Sequence, residues 1–304
     1  MKKNKVWVVP IDFSPIDKVV IGYTKYLAAL QSPEKVLFVN VVKEFKPSFF
    51  SEFQGFQEQI LVDQKLRLEN KVDTHFKDAG VPYECHIISG TPFEEVIGLV
   101  LNKSGSLVIL GRKKISSGSG IVSDRLSRNL PCDMLLVPEG FEPKLNKVLV
   151  TTDFSEHADL AMAEALELLN KEEDEKEVIE LFAHHSYSVP PEYSKLGKTE
   201  EEFAETMRLN AEKEMSKWLR KYDSDISPIL TLQEGSSFAK QVIDQVEKQE
   251  IDLIVMGSKG QTVASLALLG SNTMKVLKAD PQVPVWIAKK PGENMSFINA
   301  IRKT

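Results

Sequence analysis

The sequence predicts an α/β protein of two tandem doubly wound domains, each a five-stranded parallel sheet flanked by helices. Three observations lead there. Short apolar runs alternate with longer amphipathic stretches along the chain, the pattern of parallel strands covered by helices on both faces. The pattern occurs twice: Val8-Val9-Pro10-Ile11-Asp12-Phe13-Ser14 returns 141 positions later as Leu149-Val150-Thr151-Thr152-Asp153-Phe154-Ser155. At 304 residues, the chain also has room for two cores of about 150 residues each.

The first copy, residues 1–140, opens on an apolar run ending at Ile11 and continues into a helix over 16–30. The second copy, residues 145–290, repeats that helix over 158–169. Asp17 and Glu156 suit the first turns, because a helix N-terminus favours negative charge. Second strands are expected at 35–42 and 177–183, followed by long charged helices at about 53–80 and 199–222. Third strands, 83–88 and 226–232, lead through turns to Ser/Thr caps around Thr91 and Ser237 that open amphipathic helices. Fourth strands, 106–111 and 252–257, both stop at glycine, and fifth strands fall at 134–137 and 284–288. Residues 139–145 read as a short turn-rich seam, and residues 291–304 as a polar, mobile tail.

Composition narrows the function classes. With 42% hydrophobic and 27% charged residues, the chain matches ordinary soluble domains. A net charge of -6 argues against nucleic acid or an anionic membrane as partner. Cys85 and Cys132 stand apart with no CxxC, so neither a disulfide framework nor a zinc ribbon is expected, and a cytoplasmic location fits. The basic start, Met1-Lys2-Lys3-Asn4-Lys5, precedes an apolar run too short for a signal peptide, and no stretch approaches the roughly 18 apolar residues of a membrane span.

The segment with most chemical content is Gly257-Ser258-Lys259-Gly260, nine residues, then Gly270-Ser271-Asn272-Thr273, directly after the fourth apolar strand of the second copy. A buried strand emptying into a glycine loop and a helix start offers backbone N–H groups to phosphate. Ligands of open parallel sheets sit beyond the carboxyl ends of the strands, where strand order reverses. There Thr151, Thr152 and Asp153 converge with Gly257 to Gly260. A carboxylate repels phosphate but accepts hydrogen bonds from a ribose or an adenine amine, so the pairing suggests a nucleotide with its base end near Asp153. The alternatives are an ordinary βα turn for the loop and a turn or cap carboxylate for Asp153 and Asp12.

The pattern Gly-x2-Gly-x9-Gly-Ser, in a domain opening with strand-Asp-Phe-Ser, resembles the ATP-binding branch of the universal stress protein family, as a tandem two-domain member. The resemblance implies a Rossmann-like fold, binding of ATP or a related adenine nucleotide, pairing through the last strand and a role in stress adaptation. It also implies that Asp153 and the backbone near Ala183 meet the adenosine. Gly257, Gly260 and Gly270 would surround the inner phosphates, Ser271, Asn272 and Thr273 would reach the outer ones, and Ser258 counts among the nucleotide-binding residues of the loop. Mg2+ or Mn2+ would accompany the phosphates as counter-ion. The two domains would form an intramolecular pseudo-dimer, and two chains a homodimer.

The first copy departs from this motif. Lys114 stands where the second glycine would be, and eight residues separate Gly111 from Gly120 where twelve separate Gly257 from Gly270. Asp12, Gly111 and Gly120 therefore mark a degenerate site, with Arg112, Lys113 and Lys114 supplying charge in place of glycine amides. This domain is expected mainly to support the other. Adjacent His184 and His185 read as a solvent-exposed loop edge whose side chains point to opposite faces. Five phenylalanines from Phe45 to Phe56 either cover the crevice or form a docking surface, and the region around Pro190 and Pro191 occupies the matching place in the second copy. No Walker loop, nucleophile elbow, kinase signature or metalloprotease helix occurs. No catalytic residue is expected. The leading expectation is a nucleotide-binding regulatory protein in stress response; the alternatives are a nucleotide-independent scaffold and a slow ATPase.

Overall fold

The computed structural model describes residues 5–43, 56–113, 121–169, 179–189, 199–261 and 269–295. It divides into two compact units, Met1–Pro143 with Lys290–Thr304, and Lys144–Lys289. The described elements of the first unit are β1 (Val6–Pro10), α1 (Asp17–Gln31), β2 (Lys35–Val42), α2 (Phe56–Phe76), β3 (Tyr83–Ser89), α3 (Pro92–Asn102), β4 (Gly105–Arg112), α4 (Ile121–Asn129) and β5 (Asp133–Pro138). Those of the second are β6 (Lys147–Thr151), α5 (Glu156–Leu169), β7 (Glu180–Tyr187), α6 (Glu200–Leu219), β8 (Ile226–Leu232), α7 (Phe238–Gln249), β9 (Leu253–Gly257), α8 (Ser271–Lys278) and β10 (Val285–Ala288).

Within the first unit the strands run in the order β3-β2-β1-β4-β5, and within the second β8-β7-β6-β9-β10. All of these pairings are parallel. Each unit is thus a Rossmann-like sheet whose order reverses between its first and fourth strands, which opens a crevice at their carboxyl ends. The apolar runs form central strands because both faces are covered: Val8, Val9, Val36 and Phe38 are fully buried, as are Val148, Leu149, Val150, Ile254 and Val255. Each such side chain contributes roughly 1.5–3 kcal/mol by leaving water. Phe38 adds an edge contact to Phe76 at 5.0 Å between ring centroids.

The repeated Asp-Phe-Ser is one turn built twice. Ser14 N–H donates to Asp12 Oδ1 at 3.0 Å, and Ser155 N–H to Asp153 Oδ1 at 3.1 Å. The phenylalanines adopt left-handed backbone, with φ of 61° at Phe13 and 65° at Phe154, an uncommon conformation for a bulky residue. Ring contacts compensate: the Arg67 guanidinium lies 4.2 Å from the Phe13 ring centroid, while Phe154 packs on His185 at 4.4 Å.

Several boundaries differ from the sequence reading. β7 continues through His184-His185-Ser186-Tyr187, where hydropathy alone stopped at Ala183, because parallel bonds to β8 continue as far as Tyr187 paired with Leu232. His184 and His185 are therefore strand residues and not a solvent-exposed loop edge; His184 is fully buried. Of the two expected caps, the Ser237 side chain accepts from Lys240 N–H, whereas Thr91 makes no side-chain cap bond. The start of the polar tail packs on the first unit: Gly292 N–H donates to Pro131 O at 3.2 Å and Asn294 Nδ2 to Arg128 O at 3.0 Å. Lys114, Gly120, Pro190, Pro191 and the phenylalanines at 45, 49, 50 and 53 lie outside the described residues. No helix among the described residues is long and apolar enough to cross a membrane.

Candidate functional site

In the second unit the ends of β6, β7 and β9, together with the start of α8, enclose a cleft of about 180 Å³. Its lining includes Thr151, Thr152, Asp153, Gly257, Gly260, Gly270, Ser271, Asn272 and Thr273, so most of the sequence-selected residues come together. Ala183 and Ser258 do not line it. Ala183 is fully buried inside β7, opposite Val150 and Pro228. Ser258 is buried and structural: its N–H donates to Ala288 O at 2.9 Å and its carbonyl accepts from Gly270 N–H at 2.7 Å.

The three glycines serve different ends. A Cβ on Gly257 would lie 2.8 Å from the backbone of His157 in α5, so this glycine lets strand and helix approach. A Cβ on Gly260 would lie 2.6 Å from Asp153 Oδ2, and one on Gly270 would press the backbone of Ser258 and Lys259 at 3.2 and 3.3 Å. Asp153 fastens the loop here: Oδ2 accepts from Gln261 N–H at 2.8 Å, and the Gln261 amide donates back to Asp153 O. Gly270 is the N-cap of α8, with Ser271 and Asn272 exposed in the first turn. Those first-turn N–H groups have no intrahelical acceptor, so they are available to an anion. Thr273 is committed elsewhere, donating its hydroxyl to Gly257 O at 2.9 Å.

Sequence reasoning missed one wall of the cleft, formed by His185, Ser186, Gln233 and Phe238. His185 Nδ1 donates to Thr152 O at 2.9 Å. Burial lowers the pKa of this ring, against the opposing effect of that carbonyl, so it is neutral at physiological pH. His184, on the opposite face of β7, bonds Thr231 Oγ1 at 2.8 Å and stacks on Phe238 with centroids 5.9 Å apart. Burial, aided by the neighbouring His185, pushes its pKa down to about 4. The available signal was the repeat: Asn40 occupies the register position of His185 and donates to Ile11 O at 2.7 Å, the equivalent of Thr152 O.

The first unit has its own cleft of about 190 Å³, lined by Asp12, Gly111 and Lys113 with the apolar side chains of Ile11, Ile16, Val39, Val41, Val96 and Leu110. Lys113 Nζ reaches across it to Asp12 Oδ2 at 2.7 Å. Burial raises the Asp12 carboxyl, but bonds from Lys113 and Ser14 outweigh it and hold the group below its ordinary value. Asp17, almost fully buried, pairs with Lys71 at 3.0 Å. Gly111 would place a Cβ 2.9 Å from the Ile16 side chain, so it too is a strand–helix packing glycine. Among the described residues, neither unit gathers three or more His, Cys, Asp or Glu side chains able to hold a metal ion.

A search of curated proteins finds no match. Among solved structures, a universal stress protein from Archaeoglobus fulgidus DSM 4304 is 19% identical over 95% of this chain and 99% of its own, with a TM-score of 0.65. A functionally unknown protein from Pseudomonas aeruginosa PAO1 is 13% identical over 99% of this chain and 98% of its own, with a TM-score of 0.63. A shorter universal stress protein, solved in complex with cAMP, is 16% identical over 45% of this chain and 98% of its own, with a TM-score of 0.37. The model of the universal stress protein family matches twice, over residues 3–138 and 144–289. With both repeats matched, the chain belongs to the universal stress protein family.

Proposed function

We propose that the second unit binds ATP or a related adenine nucleotide and that the protein is a regulator in stress response, its occupancy favouring one conformation or assembly. The observation that carries this reading is one cleft holding both kinds of group a nucleotide needs. Asp153, His185 and Ser186 stand at the base end, while Gly260, Gly270 and the exposed first turn of α8 offer backbone N–H groups to phosphates. Mg2+ or Mn2+ would be held by the phosphates themselves. The first unit is left out of this reading because its glycine loop is degenerate, with Lys114 in place of the second glycine and a shorter spacing to Gly120; the Lys113–Asp12 pair adds to this without being its cause.

The test is to denature freshly purified protein, identify released nucleotide by chromatography and titrate emptied protein with ATP by calorimetry. About one adenine nucleotide per chain is expected, with at least about tenfold weaker ATP binding in Asp153→Ala or Gly260→Val. A ratio near two would refute the asymmetry between units. No released nucleotide together with no binding of added ATP would overturn the proposal.

A further inference from the structure

Hydrogen-bond direction in the wall of the second cleft can be read residue by residue. The Gln241 Nε2 group donates to Leu232 O at 2.8 Å. A carbonyl can only accept, so this bond fixes the amide's orientation and turns Oε1 toward Ser186 and Thr231. Gln241 Oε1 then accepts from both hydroxyls, Ser186 Oγ and Thr231 Oγ1, the latter at 3.1 Å. Thr231 has spent its single proton, so the 2.8 Å contact with His184 Nε2 must be donated by the imidazole. That leaves His184 Nδ1 as a bare, buried lone pair, consistent with a ring kept neutral by its surroundings. The bonds that link His184, Thr231, Gln241 and Ser186 thus each have a fixed donor and acceptor.

The consequence at the cleft is chemical. Ser186 lines it, and because its hydroxyl proton points to Gln241, the oxygen shows only lone pairs to a ligand. The neighbouring His185 also spends its Nδ1 proton, on Thr152 O. A buried polar chain is costly unless fully satisfied, and the fold itself does not need one here. Strand register puts Val39, Val41 and Ile88 of the first unit at the positions of His184, Ser186 and Thr231.

We infer that Ser186 is a specificity-determining residue of the second cleft, held as a hydrogen-bond acceptor by Gln241 and selecting a base that carries an exocyclic amine over one with an oxo group at that position. The inference rests on the nucleotide reading above and sharpens it: adenine fits, and hypoxanthine meets acceptor against acceptor. Gln241 is a positioning residue, acting only through Ser186.

The test compares ATP with ITP by calorimetry on the full chain, in wild type and in Ser186→Ala, Ser186→Thr and Gln241→Ala. Wild type is expected to prefer ATP by about tenfold or more, since a site that leaves polar groups unpaired rejects the wrong ligand strongly. Ser186→Ala should bring the two affinities to within about threefold, and Ser186→Thr should keep the preference. Gln241→Ala should narrow it although Ser186 remains, because the freed hydroxyl can turn and donate to an oxo group. A merely structural role for Gln241 would weaken both ligands equally. An unchanged ATP-to-ITP ratio in Ser186→Ala overturns the inference, as does a wild type that binds both nucleotides alike. A wild type that binds neither overturns the nucleotide reading, and this inference with it.

Discussion

In the first unit the aspartate after the opening strand is held by the Lys113 side chain; in the second the equivalent Asp153 is held by the backbone N–H of Gln261. The ammonium both neutralises the carboxylate and lies in the cleft, whereas the backbone amide fastens a loop beside it. The strand ends diverge in the same sense, aliphatic at Val39, Val41 and Ile88 and hydrogen-bonded at the register-equivalent His184, Ser186 and Thr231. The frame beneath is nearly identical, down to the left-handed phenylalanine and the Asx turn. Architecture in this protein is set by the buried strands, and the difference between the two clefts by the few residues that leave their carboxyl ends.

The largest effect should come from the glycines that end the fourth strands. Gly257→Val forces a Cβ against the His157 backbone, which cannot rotate away, and should cost the second unit about 3 kcal/mol. Gly111→Val meets only the Ile16 side chain and should cost about 1 kcal/mol by the same measure, urea unfolding followed for each variant. Equal losses would erase the distinction between backbone and side-chain contact.

Acid should separate the units next. His184 has a pKa near 4 in the folded protein against 6.5 for the free ring, so the unfolded chain takes up its proton first. Its contribution is fully present above pH 6.5 and is lost as pH falls toward 4, amounting to roughly 3 kcal/mol. His184→Val, which installs the residue found at Val39, should flatten that part of the stability–pH curve. A variant with an unchanged acid limb would remove His184 from the account.

Lys113→Ala should do least. The pair is partly exposed, with 26% and 60% of the side chains accessible, so about 0.5 kcal/mol or less is expected from thermal unfolding. Asp12, with its lowered pKa, keeps this contribution above its ordinary value and loses it as pH falls through the folded one. Nucleotide per chain should stay near one; a rise toward two would show that a single ammonium is what closes the first cleft.

Much of this was legible in the sequence because it rests on apolar runs. The strands, the repeat, and the convergence of Asp153 with Gly260 and Gly270 follow from hydropathy and glycine spacing. The lining of β7 was misplaced by a few residues, from Ala183 to His185 and Ser186, since the strand outlasts its apolar run and its polar side chains find partners only in three dimensions. Gln241 lies 55 positions from Ser186 and carries no local signal at all. Gly257 was visible as a glycine, but its reason, the backbone of His157, was not.

Gly111 shows what duplication can and cannot erase. The copies differ at Lys114 and in loop length. The glycine at the strand end survives in both, because there the neighbour is the chain itself. A glycine retained in both copies at this position therefore reports how closely the strand end meets the neighbouring helix start, and by itself says nothing of a ligand.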